Sequence, residues 1–245
     1  SFKGEVGPLG NQSLLEAKMV IALENLNSSD LEIFIPKEAL QGKGFQNLNI
    51  NGTVEGGLAK GIAGNLNVGL KLLPQNKDIS LNSVFSAKSK DEVSLDNFEI
   101  KLGQAKIQFK GHVASLSGPK ENVEIKLDMD ISNLHSRELE DFIPKEAFQG
   151  FGFENFSVKG GVEGSLGSKI DASLDLSVKL LPAGRDIQFK GLVTAKGTDD
   201  IVLNNASIKT GSSDITLTGS IRNMAAPQGQ FILYANQLNA DDFLA

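Results

Sequence analysis

The same stretch of sequence occurs twice in this chain, and that constrains the fold more than any other feature. Phe34-Ile35-Pro36-Lys37-Glu38-Ala39-Leu40-Gln41-Gly42 returns as Phe142-Ile143-Pro144-Lys145-Glu146-Ala147-Phe148-Gln149-Gly150. From there the match runs without a gap to Pro119 and Pro227. Val54-Glu55-Gly56 aligns with Val162-Glu163-Gly164, and Lys71-Leu72-Leu73-Pro74 with Lys179-Leu180-Leu181-Pro182. Roughly 35 of about 90 aligned positions are identical, far above chance for unrelated segments. Tandem units of this kind bury their cores against their neighbours.

The repeat is about 108 residues long and does not start at residue 1. Ser1-Phe2-Lys3-Gly4-Glu5-Val6 resembles Gln108-Phe109-Lys110-Gly111-His112-Val113, the end of a unit. Residues 1–30 therefore read as the tail of a preceding repeat, 31–138 as repeat unit 1 and 139–245 as repeat unit 2. The second unit reads as truncated at Phe243-Leu244-Ala245, where a further Phe-Ile-Pro turn is expected. On this reading the sequence is a piece of a longer array.

Strict alternation dominates the pattern, the period-2 mark of a strand with one apolar and one polar face. Ile62, Gly64, Leu66, Val68, Leu70 and Leu72 alternate with Ala63, Asn65, Asn67, Gly69 and Lys71. Ile170, Ala172, Leu174, Leu176, Val178 and Leu180 repeat the pattern in the second copy. A helix would spread both sets around its circumference. Six strands per unit follow, in the first near 45–55, 61–73, 77–88, 92–102, 105–115 and 121–132. Short Gly-, Pro- and Asn-rich turns between them predict an antiparallel meander. The Phe-Ile-Pro segments, with Pro near the start and Gly at the end, predict one short helix per repeat. The fold class expected is all-β: a long antiparallel repeating β-groove, its apolar face concave. A β-sandwich, with two apolar faces covering each other, is the competitor.

Charge and composition exclude several functions. A net charge of −6 without a basic face argues against nucleic acid. With no cysteine there is no disulfide framework and no thiolate metal site. No run of about 18 apolar residues is present for a membrane-spanning helix. Catalysis has little to stand on. His112 and His135 read as surface residues, with no nucleophile–base arrangement, and the corner holding His135 reads as lacking or shortened in the C-terminal copy. Asp128 and Asp130 share a strand face opposite Leu127, Met129 and Ile131, and read as solvated rather than as a metal site. Gly52-x-x-x-Gly56-Gly57 and Gly160-Gly161-x-x-Gly164 lack the following helix and Lys-Ser/Thr ending of a phosphate loop, so close packing or turns explain them better. No enzyme, cofactor or metal is expected.

The unit boundary runs Gly111-His112-Val113, Pro119, the alternating Val123–Ile131, Leu134, and then Phe142-Ile143-Pro144. The next sheet opens with Val158-Lys159-Gly160-Gly161-Val162-Glu163-Gly164. This order of elements resembles the periplasmic part of the AsmA-like family, the group that includes TamB and YhdP. The resemblance implies a periplasmic β-taco lined with apolar residues, whose parent is anchored in the inner membrane. It also implies movement of phospholipid between the inner and outer membranes, with membrane contact made by parts of the parent beyond this sequence.

The apolar stripe is then the functional candidate. In the first unit its inward positions are Leu48, Ile50, Leu66, Val68, Leu70, Ile79, Leu81, Phe85, Ile107 and Phe109. In the second they are Phe156, Val158, Leu174, Leu176, Val178, Ile187, Phe189, Val193, Ile215 and Leu217. The partner expected is a phospholipid or another acyl-chain lipid. Edge-to-edge self-association is a further expectation, because sheet ends recruit strands. The competing reading is a non-enzymatic structural or adhesive β-sandwich module of the cell envelope.

Overall fold

The computed structural model describes residues 1–6, 16–31, 44–57, 61–140, 142–143, 152–197, 200–223 and 226–242. The alternating segments form fourteen strands. They are β1 (Phe2–Val6), β2 (Glu16–Leu26), β3 (Gly44–Gly57), β4 (Gly61–Leu73), β5 (Lys77–Ser89), β6 (Glu92–Leu102), β7 (Ala105–Ala114), β8 (Glu124–Leu134), β9 (Gly152–Ser165), β10 (Lys169–Leu181), β11 (Arg185–Lys196), β12 (Asp200–Thr210), β13 (Ser213–Arg222) and β14 (Gln228–Gln237). They lie in one open sheet in strict sequence order, β1 to β14. The meander expected from the short connections is present. The chain divides into two compact units, residues 1–104 with 108–112, and residues 105–107 with 113–245.

Turn chemistry explains the tight connections. Asn76 and Gly184, at matching positions of the β4–β5 and β10–β11 turns, take positive φ of 55° and 67°. Gly103 and Gly211 do the same in the next hairpins, at 60° and 55°. Gly56 and Gly164 are more demanding, with φ of 137° and 148°. A side chain there would also overlap the carbonyl of Gly61 or Lys169 on the paired strand. Only glycine adopts such backbone at low cost. The glycine runs are thus places of close backbone approach.

Asparagine sets a second irregularity. Asn25, Asn47, Asn133 and Asn155 take left-handed φ of 54°, 54°, 54° and 52°, a conformation asparagine tolerates. The ladder shifts register beside them, between Leu23 and Leu26 and again between Ile131 and Leu134. The side chains support these bulges in the first unit. Asn49 Oδ1 accepts the Asn25 amide at 3.0 Å, and Asn27 Oδ1 accepts the Asn47 amide at 3.0 Å.

Beyond β2, β8 and β14 the chain turns a corner with a shared sequence: Leu26-Asn27-Ser28-Ser29-Asp30, Leu134-His135-Ser136-Arg137-Glu138 and Leu238-Asn239-Ala240-Asp241-Asp242. The first and third are 3-10 turns, Ser28–Leu31 and Ala240–Asp242. The second is α1 (Ser136–Leu139). Asp30 Oδ2 accepts the Asn27 amide at 2.8 Å, and Glu138 Oε2 the His135 amide at 3.1 Å. Ser28 Oγ and Ser136 Oγ accept the amides of Phe45 and Phe153, each at 3.2 Å, and so seat the first residues of β3 and β9.

Helical turns start at Ser28 and Ser136, upstream of the Phe-Ile-Pro segments. Phe142 and Ile143 only close α1, both donating to the Leu139 carbonyl at 2.9 Å. The short helix expected over residues 34–42 and 142–150 lies, Phe142 and Ile143 apart, outside the described residues. The C-terminal corner, expected to be lacking or shortened, is present with a shorter turn, Ala240–Asp242 against Ser136–Leu139. Its acid works differently, since Asp242 Oδ2 accepts the amides of Ser212 and Ser213, each at 2.9 Å.

Burial is shallow. Among the described residues the buried hydrophobic ones are Leu102, Ala105, Leu134, Val158 and Ala206, and no large side chain is fully enclosed. Among the described residues no second sheet covers the first.

Candidate ligand-lining face

Residues directly paired in an antiparallel ladder share a face. In the first unit the pairings generate apolar rows across the strands. One row runs Leu23–Ile50–Val68–Leu81–Ile100. Beside it run Ile21–Gly52–Leu66–Ser83–Phe98 and Met19–Val54–Gly64–Phe85–Leu95. Leu70–Ile79–Leu102 and Leu26–Leu48 complete the face. Ile107 and Phe109 are two apart on β7 and so point the same way; the Phe109 ring lies 6.1 Å from that of Phe98.

The second unit repeats the layout. Its rows are Ile131–Val158–Leu176–Phe189–Ile208–Ile215 and Met129–Gly160–Leu174–Gly191–Ala206–Leu217. Next to them lie Leu127–Val162–Ala172–Val193–Leu203 and Val178–Ile187–Thr210. Leu134 pairs with Phe156 beyond the bulge. Each sequence-selected position thus stands on the common apolar face of its unit. Leu66 and Leu174 occupy the same place in matching rows, each beside a glycine.

These side chains are apolar but not enclosed. Val158 is buried and Phe109 is 36% exposed. The other eighteen, Leu48 and Leu176 among them, are half-buried. Such a face keeps part of its hydrocarbon surface accessible, which a closed core does not. The glycines in the rows are shielded by large neighbours: a side chain at Gly64 would strike the Phe85 ring, and one at Gly160 would press on Leu174.

The opposite face is polar in both units. In the first it carries Ala22–Asn51–Asn67–Asn82–Glu99. In the second the same row reads Asp130–Lys159–Asp175–Lys190–Ser207. Lys159 lies 3.5 Å from Asp130, and Lys190 2.8 Å from Asp175. Lys18–Glu55 at 3.2 Å and Lys126–Glu163 at 3.0 Å are matching ion pairs. The bond to Glu163 raises the Lys126 amine above its ordinary pKa. Hydrogen bonds from Lys169, and then from Thr194, lower that of Asp171. These shifts belong to exposed surface pairs. Asp128, Asp171 and Glu163 border a shallow open depression with Gly161, Ser173 and Leu192. No group of metal-ligating side chains occurs among the described residues.

His112 Nδ1 is 3.1 Å from Ser94 Oγ, and His135 leads into α1. Both are half-buried, and the His112 side chain is 39% exposed. Asp128 and Asp130 stand opposite the apolar face, as their alternation with Leu127, Met129 and Ile131 requires.

Comparison with family models, curated proteins and solved structures finds no match. The rows themselves must carry the functional argument. Sequence reasoning missed Phe98, Ile100, Ile131 and Ile208, which complete them. Their alternation was legible, but the bulges at Asn25 and Asn133 and the irregular β6 hid which face they join.

Proposed function

We propose that the apolar face of each unit shelters the acyl chains of a phospholipid or similar lipid, with the polar headgroup left in water. In this reading the chain is a periplasmic segment of an AsmA-like, bridge-type lipid transfer protein acting between the inner and outer membranes, and it is not an enzyme. The face would be held as a repeating β-groove. The carrying observation is that Val68, Leu176 and most of their row neighbours are only half-buried, with few side chains buried among the described residues. Each methylene removed from water is worth about 0.8 kcal/mol, so a fully sheltered chain of about sixteen carbons gains on the order of 10 kcal/mol. The lining is repetitive and non-directional, which lets a chain slide.

The test is thermal melting with quantification of co-purifying lipid, for the parent and for Val68→Arg and Leu176→Arg. An accessible face lets the arginine stem reach water, so the fold persists while lipid is lost. A closed envelope module, the alternative, would hold no lipid in the parent. It would also unfold when an unpaired charge is buried. That pair of results overturns the proposal.

A further inference from the structure

We propose that Ser83 is a polar anchor inside the apolar face of the first unit, donating a hydrogen bond to an ester carbonyl of an acylglycerol lipid. The inference rests on the lipid reading above and adds where on the face the ester sits. Crossing β2 to β6, the apolar rows of this unit hold apolar side chains and glycines with one exception. Ser83 stands in the row Ile21–Gly52–Leu66–Ser83–Phe98. Leu66 and Phe98 flank it across the ladder, and Leu81 and Phe85 flank it along β5. Ser83 is only 9% exposed, and its hydroxyl makes no hydrogen bond among the described residues.

Space explains a small residue at this place but not a hydroxyl. The matching residue of the second unit is Gly191, where a side chain would come within 3.0 Å of the Phe189 ring. In the first unit Leu81 stands in the place of Phe189, so that ring is absent and a side chain fits. Alanine would fill the room without a polar group. A buried hydroxyl without a partner is penalised instead. An acceptor that arrives with the ligand removes the penalty.

The surroundings select the acceptor. The four flanking side chains are hydrocarbon, so a phosphate or carboxylate would give up its hydration there for a single bond. An ester carbonyl is neutral, accepts without donating, and carries hydrocarbon on its acyl side. It fits a lone hydroxyl in an apolar lining, with the acyl chain continuing over the neighbouring rows. The second unit offers no equivalent. Its Thr210 Oγ1 is also unpartnered but is enclosed, and it stands where the first unit has Leu102. The preference for an ester therefore belongs to the first unit.

Calorimetric titration of the full chain, stripped of co-purified lipid, tests this with a short-chain diester phosphatidylcholine and its diether analogue. The diester should bind the parent chain about three- to tenfold more tightly than the diether, and Ser83→Ala should abolish that ratio. Infrared spectra with the ester carbonyls isotopically labelled should show a hydrogen-bonded band that Ser83→Ala removes. Without lipid, Ser83→Ala should melt no lower than the parent, because the hydroxyl serves the ligand and not the fold. An unchanged ratio, a surviving band or a lower melting temperature of the lipid-free variant overturns the anchor and leaves the lipid reading standing. Failure of both lipids to bind the parent chain overturns both.

Discussion

One cross-sheet row read in both units shows where the sequence is held and where it drifts. On the polar face, Ala22–Asn51–Asn67–Asn82–Glu99 becomes Asp130–Lys159–Asp175–Lys190–Ser207, so an asparagine ladder turns into alternating charge. On the apolar face, Leu23–Ile50–Val68–Leu81–Ile100 becomes Ile131–Val158–Leu176–Phe189–Ile208, with every position still a large hydrocarbon. Hydrogen-bonding amides and ion pairs are interchangeable where water can serve either. Apolarity is not interchangeable, whether it serves packing, a ligand or both.

The sharpest way to break this equivalence is at the shared glycines. Gly56→Ala and Gly164→Ala should each lower stability by at least about 2 kcal/mol, because both force a side chain into backbone. Denaturant unfolding should give similar losses for the two. A tolerated change at either position would mean the units differ in backbone there.

Burial separates the units next. Val158 is buried, whereas Ile50 at the matching place is half-buried. Val158→Ala should cost about 1–2 kcal/mol and Ile50→Val less than about 1 kcal/mol. Equal losses would mean that the first unit is as tightly covered as the second.

The polar rows should differ in salt response. Lys159→Gln and Lys190→Gln remove one partner from each exposed pair and should cost less than about 1 kcal/mol. That loss should vanish near 1 M salt, where the Debye length is about 3 Å. Asn51→Ser and Asn82→Ser, in the asparagine row, should show no salt dependence in the same melts.

The smallest effect is in the third corner. The side-chain bond from Ser213, with further bonds from Ser212, holds the Asp242 carboxyl below its ordinary pKa. A depressed folded pKa means that the contribution is complete above the ordinary value of about 3.9 and lost as pH falls through the lower folded value. Exchange of the Ser212 and Ser213 amides should therefore quicken below about pH 4 relative to their neighbours. Unchanged relative exchange would remove Asp242 as the clasp.

Much of this was legible in the sequence, for a physical reason. With period 2, alternation such as Leu66–Val68–Leu70 fixes both the strand and its face, and the short turns fix the meander. The corners were not legible, because Ser28, Ser136 and their acids act through single hydrogen bonds that leave no periodic trace. The helix expected from the proline of Phe-Ile-Pro falls mostly outside the described residues; the helical turns upstream are held by Asp30 and Glu138, which accept the Asn27 and His135 amides. The bulges at Asn25 and Asn133 depend on left-handed backbone that an asparagine allows but does not announce.

The central claim is that the apolar face is accessible to lipid while the polar face is not. Neighbouring positions on one strand test it directly, since Asn67 and Val68, like Asp175 and Leu176, point to opposite faces. A photo-crosslinking amino acid at each of the four positions, activated in cells making the full-length protein, reads out lipid contact by mass spectrometry. Phospholipid adducts at 68 and 176 but not at 67 and 175 are the predicted result. Adducts at none of the four, or equally at all, would contradict it.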